Sequence, residues 1–320
     1  MDINKKKIKL WSAVGPRATF GLAALEFAKE FEDLMILTCD VSTSAGLDRF
    51  KNQFKEKYLD CGIAEQNMIG IASGLVSENF RVITTTFAPF QTMRCNEQIK
   101  VNLGYMKKNI CMVGIASGLV LGTLGYTHCC IEDIGAIRSI PGLTIISPAD
   151  SLETVKSIRA VLKAKIPAYV RLTGGSNNPM VYKNDYDFKI GKSIVLKDGN
   201  DVVIYCSGAS VYRCLEASEI LEKKKISTKI VNMHTIKPID ADEIKLNCKK
   251  AKLLVTVEEH NIIGGLGSAV SEVMSSLERP PKKLSLGVKD TYGKCGDYNF
   301  MIEKHRLSSD KIVEDILNSL

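Results

Sequence analysis

No stretch of this 320-residue sequence approaches the ~20 consecutive apolar residues that cross a bilayer, so membrane spans are not expected. The basic start, Met1-Asp2-Ile3-Asn4-Lys5-Lys6-Lys7, leads into no long apolar segment, which argues against a secretory signal and for a cytoplasmic chain. Repeats and low-complexity tracts are missing. So is any CxxC pair: the ten cysteines are scattered, and Cys39, Cys61, Cys111 and Cys206 lie in or beside apolar runs, where a free thiol packs as a small hydrophobe. Adjacent Cys129 and Cys130 have no His or Cys partner at metal-ligand spacing, so no metal site is expected within the chain. The formal charge of +7 is spread out, with short lysine clusters only at 5–7 and 223–225 and no interleaved aromatics. Nucleic acid is therefore not the expected partner.

What is present is the balance of an ordinary globular protein, 45% apolar and 25% charged, long enough for two domains with a core each. Short apolar, β-branched runs at 34–38, 82–86, 110–115, 143–147 and 168–172 read as buried strands. Helical patterns separate them. Phe20, Ala24, Phe27, Ala28 and Phe31 share one face, and Met68, Ile69, Ala72, Leu75 and Val76 share another on a helix starting near Glu65. The alternation implies crossover connections and a mostly parallel sheet. A polar stretch from Gly174 to Asp187 follows. The alternation then resumes with strands at 202–205, 229–232, 253–257 and 284–286 and helices near 210–225, 265–278 and 308–320. The expected fold is α/β in two domains, each a mainly parallel sheet flanked by helices: residues 1–178, a linker at 179–190, and 191–320.

The most informative segment is Gly62-Ile63-Ala64-Glu65-Gln66-Asn67-Met68. A carboxylate in the first turn of a helix is favoured by the helix dipole. Apolar Ile63 and Ala64 before Glu65, and an apolar helix face after it, predict a partly desolvated carboxylate, the environment that suits a proton-transferring glutamate.

This run resembles the signature of the transketolase family, and the related 1-deoxyxylulose-5-phosphate synthases carry GIAEQ as well. Gly46-Leu47-Asp48-Arg49-Phe50, Thr86-Phe87-Ala88-Pro89-Phe90, Gly125-Tyr126-Thr127-His128, Ile140-Pro141-Gly142-Leu143 and the run Val257 to Gly267 follow in family order, so the resemblance covers about residues 10–320. It implies a pyrimidine-binding domain for thiamine diphosphate followed by a transketolase C-terminal domain. By resemblance, Glu65 hydrogen-bonds the aminopyrimidine of thiamine diphosphate and promotes the tautomer that deprotonates the thiazolium carbon. Phe87 and Phe90 correspond to aromatics packed around the pyrimidine, and Asp40 and Ile63 also fall at cofactor-facing positions. His128 corresponds to a histidine beside the reacting carbon, and Arg17, Ser44 and Arg171 to contacts with sugar phosphate, with His128 also facing substrate.

Diphosphate binding in this family resembles a GDG motif followed by an asparagine, together holding Mg2+, and no such motif is present. The resemblance thus implies half of a cofactor site. A separate N-terminal diphosphate-binding subunit would supply the rest and hold Mg2+, with two such pairs forming a heterotetramer. Ile115-Ala116-Ser117-Gly118 and Thr123-Leu124-Gly125 stand where transketolases place a phosphate-contacting histidine and an acceptor-recognising aspartate. Those departures point to an acceptor less phosphorylated or more apolar than a pentose phosphate. The leading expectation is transfer of a two-carbon unit from a ketose, or ketose phosphate, to an aldehyde. The alternatives are a pyruvate-decarboxylating condensation, like that of deoxyxylulose phosphate synthase or the beta subunits of 2-oxoacid dehydrogenases, and a non-catalytic regulatory subunit.

Overall fold

The structure is a computed structural model that describes Met1 and residues 3–320. The five apolar runs of the first half form strands β1 Leu34–Thr38, β3 Arg81–Phe87, β4 Ile110–Ile115, β5 Thr144–Ile146 and β6 Ala168–Arg171, joined by the short β2 Tyr58–Asp60. The later half supplies β7 Ile194–Lys197, β8 Val202–Cys206, β9 Thr228–Asn232, β10 Thr235–Lys237, β11 Leu253–Asn261 and β12 Lys282–Val288. Two sheets result, in the orders β10-β5-β6-β4-β3-β1-β2 and β12-β11-β8-β9-β7. Every pairing is parallel except the edge pairs β10 with β5 and β7 with β9. This is the expected class of fold, two mainly parallel sheets flanked by helices.

Five helices frame the site and the seam between the sheets: α1 Lys5–Glu30, α2 Glu65–Ser77, α3 Ser151–Ala164, α4 Ser210–Lys223 and α5 Leu266–Met274. Helix α1 breaks at Gly15, whose φ of 80° is left-handed, and Pro16 opens the second segment, where its missing N–H costs nothing. The faces read from the sequence are the buried ones. Phe20, Ala24 and Phe27 on α1, and Met68, Ile69 and Ala72 on α2, are fully covered. At roughly 25 cal/mol per Å2 of apolar area, covering each such phenylalanine contributes about 2–3 kcal/mol. Eight of the ten cysteines are buried and all are free, as packed hydrophobes rather than ligands or bridges.

The sheets are not independent. Strand β10 belongs by sequence to the second half, yet pairs antiparallel with β5, with Thr235 opposite Ile146. Ser147 N also donates to His234 O at 2.7 Å. The polar segment expected to be a linker is partly packed. Tyr182 and Tyr186 stack at 4.1 Å, and Asp150 Oδ2 accepts from the backbone of Val181 and Tyr182. Asp150 also caps α3 by accepting from Glu153 N, and burial pushes its carboxyl up to about 6. Glu153 itself accepts from Tyr186 Oη at 2.7 Å and from Asn232 Nδ2 at 2.9 Å, so one buried carboxylate joins first sheet, connector and second sheet.

His234, beside β10, is fully buried against Phe188, with Nδ1 at 2.9 Å from Thr235 Oγ1. Burial lowers its pKa from 6.5 to about 4. A depressed folded-state value means the unfolded chain takes up the proton first. The stability of the neutral, buried ring is thus present above pH 6.5 and is lost as the pH falls towards 4. His234→Gln should therefore gain on the wild type by about 3 kcal/mol between pH 7 and pH 4. Urea unfolding of both proteins across that range checks this, and a constant difference would contradict it.

Candidate functional site

The carboxyl ends of β1, β2, β3, β4 and β6 all open on one edge of the first sheet, where ligands of parallel α/β sheets bind. Chain leaving β2 runs through Gly62 (φ 65°) into Glu65, the first residue of α2. Asp60 fixes that turn. Its Oδ1 accepts from Asp40 N at 2.9 Å and Gly62 N at 3.0 Å, tying the ends of β1 and β2. Burial alone would raise the Asp60 pKa, and these backbone donors reverse that, leaving it below the usual carboxylate range. Asp40 is exposed with φ of 56°, and Ile63 is 77% exposed beside the turn, an apolar side chain with nothing covering it.

The Glu65 carboxylate is 4% exposed. It is paired as well as desolvated: Arg94 Nη1 donates to its Oε1 at 2.7 Å. Oε2 carries no hydrogen bond among the described residues and is not sealed from solvent. Phe87 ends β3, and the turn Ala88–Gln91 brings Phe90 back against it, ring centroids 6.2 Å apart, edge to face. His128, from the loop after β4, completes the cluster at 5.4 Å from Phe90 and 6.1 Å from Phe87. Its Nδ1 lies 3.0 Å from Thr127 Oγ1. The Arg94 guanidinium sits 4.1 Å from the Phe90 centroid, so it links carboxylate and rings. Glu65, Phe87, Phe90 and His128 are therefore brought together. Arg94 is the member that sequence reasoning missed. Its only local signal is an arginine four residues past Phe90, and its partner lies 29 residues upstream.

A second cluster lies around the α1 break, where a cavity of about 250 Å3 is lined by Gly15, Arg17, Thr43, Ser44, Gly174 and Ser176, among others. Arg17 and Ser44 thus share one pocket. The Arg17 side chain has no ion pair or hydrogen bond among the described residues, and burial lowers its pKa. An unpaired, half-buried guanidinium at the start of a helical segment suits an anion. The Ser44 loop is fitted tightly to α1: a Cβ on Gly21 would lie 2.0 Å from Gly46 O. Gly21→Ala is expected to cost about 1–3 kcal/mol in urea unfolding and to push the Ser44 loop off the helix. An alanine variant as stable as the wild type would contradict that packing.

Arg171 joins neither cluster. It ends β6, an interior strand between β5 and β4, and is 2% exposed. Its Nε donates to Asp133 Oδ2 at 2.7 Å and its Nη2 to the carbonyls of Cys130 and Glu259. Burial would lower its pKa, but Asp133 more than offsets that, so the guanidinium stays charged. The expected phosphate contact gives way to an internal ion pair, because a strand covered on both faces turns its side chains into the core.

The late motif is likewise absorbed by the seam between the sheets. Glu258 accepts from Leu266 N and Gly267 N at the start of α5. Glu259 accepts from Arg213 of α4 at 2.5 Å and from Tyr298 Oη. His260 Nε2 accepts from Gly135 N at 3.2 Å. Among the described residues no three His, Cys, Asp or Glu side chains converge as a metal site, and no helix is long and apolar enough to cross a membrane.

Residues 13–178 match the transketolase pyrimidine binding domain and residues 191–312 the transketolase C-terminal domain. The chain belongs to the transketolase family. It is similar to a Methanocaldococcus jannaschii protein described as a transketolase C-terminal section, 37% identical over 96% of each chain. It is also similar to an apulose-4-phosphate transketolase subunit of Phocaeicola vulgatus, 33% identical over 94% of this chain and 96% of that one. Among solved structures, a split gene transketolase in an inactive beta4 tetramer superposes with a TM-score of 0.86 at 32% identity, covering 96% of this chain and 98% of the other.

Proposed function

We propose that the chain is the pyrimidine-binding subunit of a thiamine diphosphate-dependent enzyme that moves a two-carbon unit from a ketose donor to an aldehyde acceptor. The observation that carries this is the Glu65 Oε2 atom, an unpartnered carboxylate oxygen at the edge of a buried site, beside two phenylalanine rings and a histidine. Those groups fit an aminopyrimidine, which needs a carboxylate at one ring nitrogen and aromatic packing around its ring. Bound there, the cofactor supplies the carbanion chemistry that no side chain can. Glu65 would hold and exchange one proton at Oε2, Phe87 and Phe90 would pack the ring and exclude water, and His128 would move a proton on the substrate. Asp40 and Ile63, exposed at the same edge, would complete the cofactor contact.

Arg17 and Ser44 would take an anionic end of the donor. Relatives of this chain are named for a sugar phosphate and for 6-deoxy-6-sulfo-D-fructose, both with such a group. On the acceptor side Ala116 is buried and Leu124 is 55% exposed, which suits a less phosphorylated or more apolar aldehyde. Mg2+ and the diphosphate would be held by a separate N-terminal subunit, with the two kinds of subunit paired in a heterotetramer.

The test is thiamine diphosphate binding with Mg2+, and two-carbon transfer, for this chain alone and then mixed with a candidate diphosphate-binding subunit. Binding and turnover confined to the mixture support the proposal. Turnover by the chain alone would overturn the half-site, and release of CO2 from pyruvate would move the reaction to the decarboxylating class.

A further inference from the structure

We infer that Arg94 is a positioning residue for Glu65, presenting one chosen carboxylate oxygen to the cofactor; this rests on the proposed function. A glutamate at the first position of a helix has a flexible side chain and two equivalent oxygens, and nothing in α2 itself selects between them. No side-chain cap orders that helix end. Arg94 removes the equivalence. Its Nη1 takes Oε1 at 2.7 Å, which leaves Oε2 as the oxygen without a hydrogen-bond partner among the described residues. Arg94 is itself held twice more. Its guanidinium carbon lies 4.1 Å from the Phe90 ring centroid, and its backbone carbonyl accepts from Gln66 Nε2 at 3.0 Å, one residue after Glu65 on α2. The ion pair, the ring contact and the main-chain bond together fix the Arg94 turn to the start of α2.

A lysine could supply the charge but not this geometry. A guanidinium is planar, offers several donors in a fixed fork and stacks on an aromatic face, whereas an ammonium is a point donor on a flexible stem. The arrangement also sets the charge of the site. With Arg94 in place the Glu65–Arg94 pair is neutral as a unit, so a neutral ring approaching Oε2 meets a hydrogen-bond acceptor without an uncompensated buried charge. Phe90 serves both partners, packing on Arg94 on one side and meeting His128 at 5.4 Å.

Two measurements test this. In the chain alone, arginine-selective 15N NMR should show the Arg94 Nη groups as resolved, slowly rotating resonances that collapse in Glu65→Ala, which removes the acceptor. A freely rotating Arg94 in the wild type overturns the inference outright. In the chain assembled with its diphosphate-binding subunit, thiamine diphosphate affinity is compared for the wild type, Arg94→Met and Arg94→Lys. Loss of a charge-assisted, part-buried contact to a buried carboxylate predicts a Kd about tenfold weaker for Arg94→Met, with Arg94→Lys recovering only part of it. A merely structural role would lower the Tm of both variants without separating their affinities. If the wild-type assembly binds no thiamine diphosphate, the proposed function falls and the inference with it. If the wild type binds and Arg94→Met binds equally well, only the inference falls.

Discussion

Glu65→Gln is expected to cut two-carbon transfer by the assembled enzyme about a hundredfold to ten-thousandfold, the range that a positioned proton-transfer group contributes. The substitution is nearly isosteric, and the amide oxygen can still accept from Arg94, so the site should keep its shape. What disappears is the carboxylate at Oε2, the one group in the cluster able to take and return a proton at that atom. Thiamine diphosphate should still bind, because Phe87 and Phe90 and the diphosphate contacts proposed for the partner subunit are untouched, and the Tm should barely move. Steady-state kinetics, a cofactor titration and a thermal melt on one preparation separate these effects. Turnover close to that of the wild type would mean that this chain docks or regulates a partner instead of catalysing.

Arg171→Met should instead damage the fold. Asp133 and Arg171 are almost completely inaccessible, and removing the cation leaves Asp133 buried with only the Tyr169 hydroxyl donating to the shared oxygen. Breaking a buried pair from one side typically costs about 3–5 kcal/mol, because the remaining charge keeps its desolvation penalty. The Glu259 carbonyl would lose the Arg171 donor as well, and the Cys130 carbonyl would keep only its bond from Gly118 N. Urea unfolding should therefore show a midpoint far below the wild type. Replacing both partners together, as in Asp133→Leu with Arg171→Met, should cost less than the single change. A stable Arg171→Met protein with only a raised KM for a sugar phosphate would restore Arg171 to the substrate pocket.

The contrast between Glu65 and Arg171 shows where sequence is informative. Glu65 was legible because the Met68, Ile69, Ala72 face after it requires burial of that helix start, although Ile63 before it stays exposed. Phe87, Phe90 and His128 were placed near it by resemblance to the transketolase family, and the structure brings the three rings into one cluster. Arg94 could not be placed, since pairing across 29 residues is decided by how the turn after β3 lies on α2. Arg171 was misplaced for a related reason. An arginine at a strand end looks like a ligand contact until the strand is known to be interior, with Asp133 behind it.

Among the elements, the β-branched runs and amphipathic helices were readable from their own periodicity. Strands β2 and β10 were not, as each has three residues and owes its conformation to the neighbour it pairs with. Helix α3 has a capping signal in its sequence, Asp150 followed by Glu153, but strand alternation alone does not pick it out. The connector's packing depends on Tyr182 and Tyr186 meeting a buried carboxylate, which composition does not reveal.

Strand β10 has a consequence for how the chain can be divided. The first sheet borrows its last strand from beyond the connector, so a fragment ending near residue 178 would carry β5 as an open edge. Unpaired edges of that kind recruit strands from other molecules. Such a fragment should be sticky in isolation and quieted by adding back the missing half in trans. The two halves are better regarded as one unit of inheritance than as beads on a string: a gene fusion or fission that respects this seam can divide the chain from the proposed partner subunit, but not from its own second half.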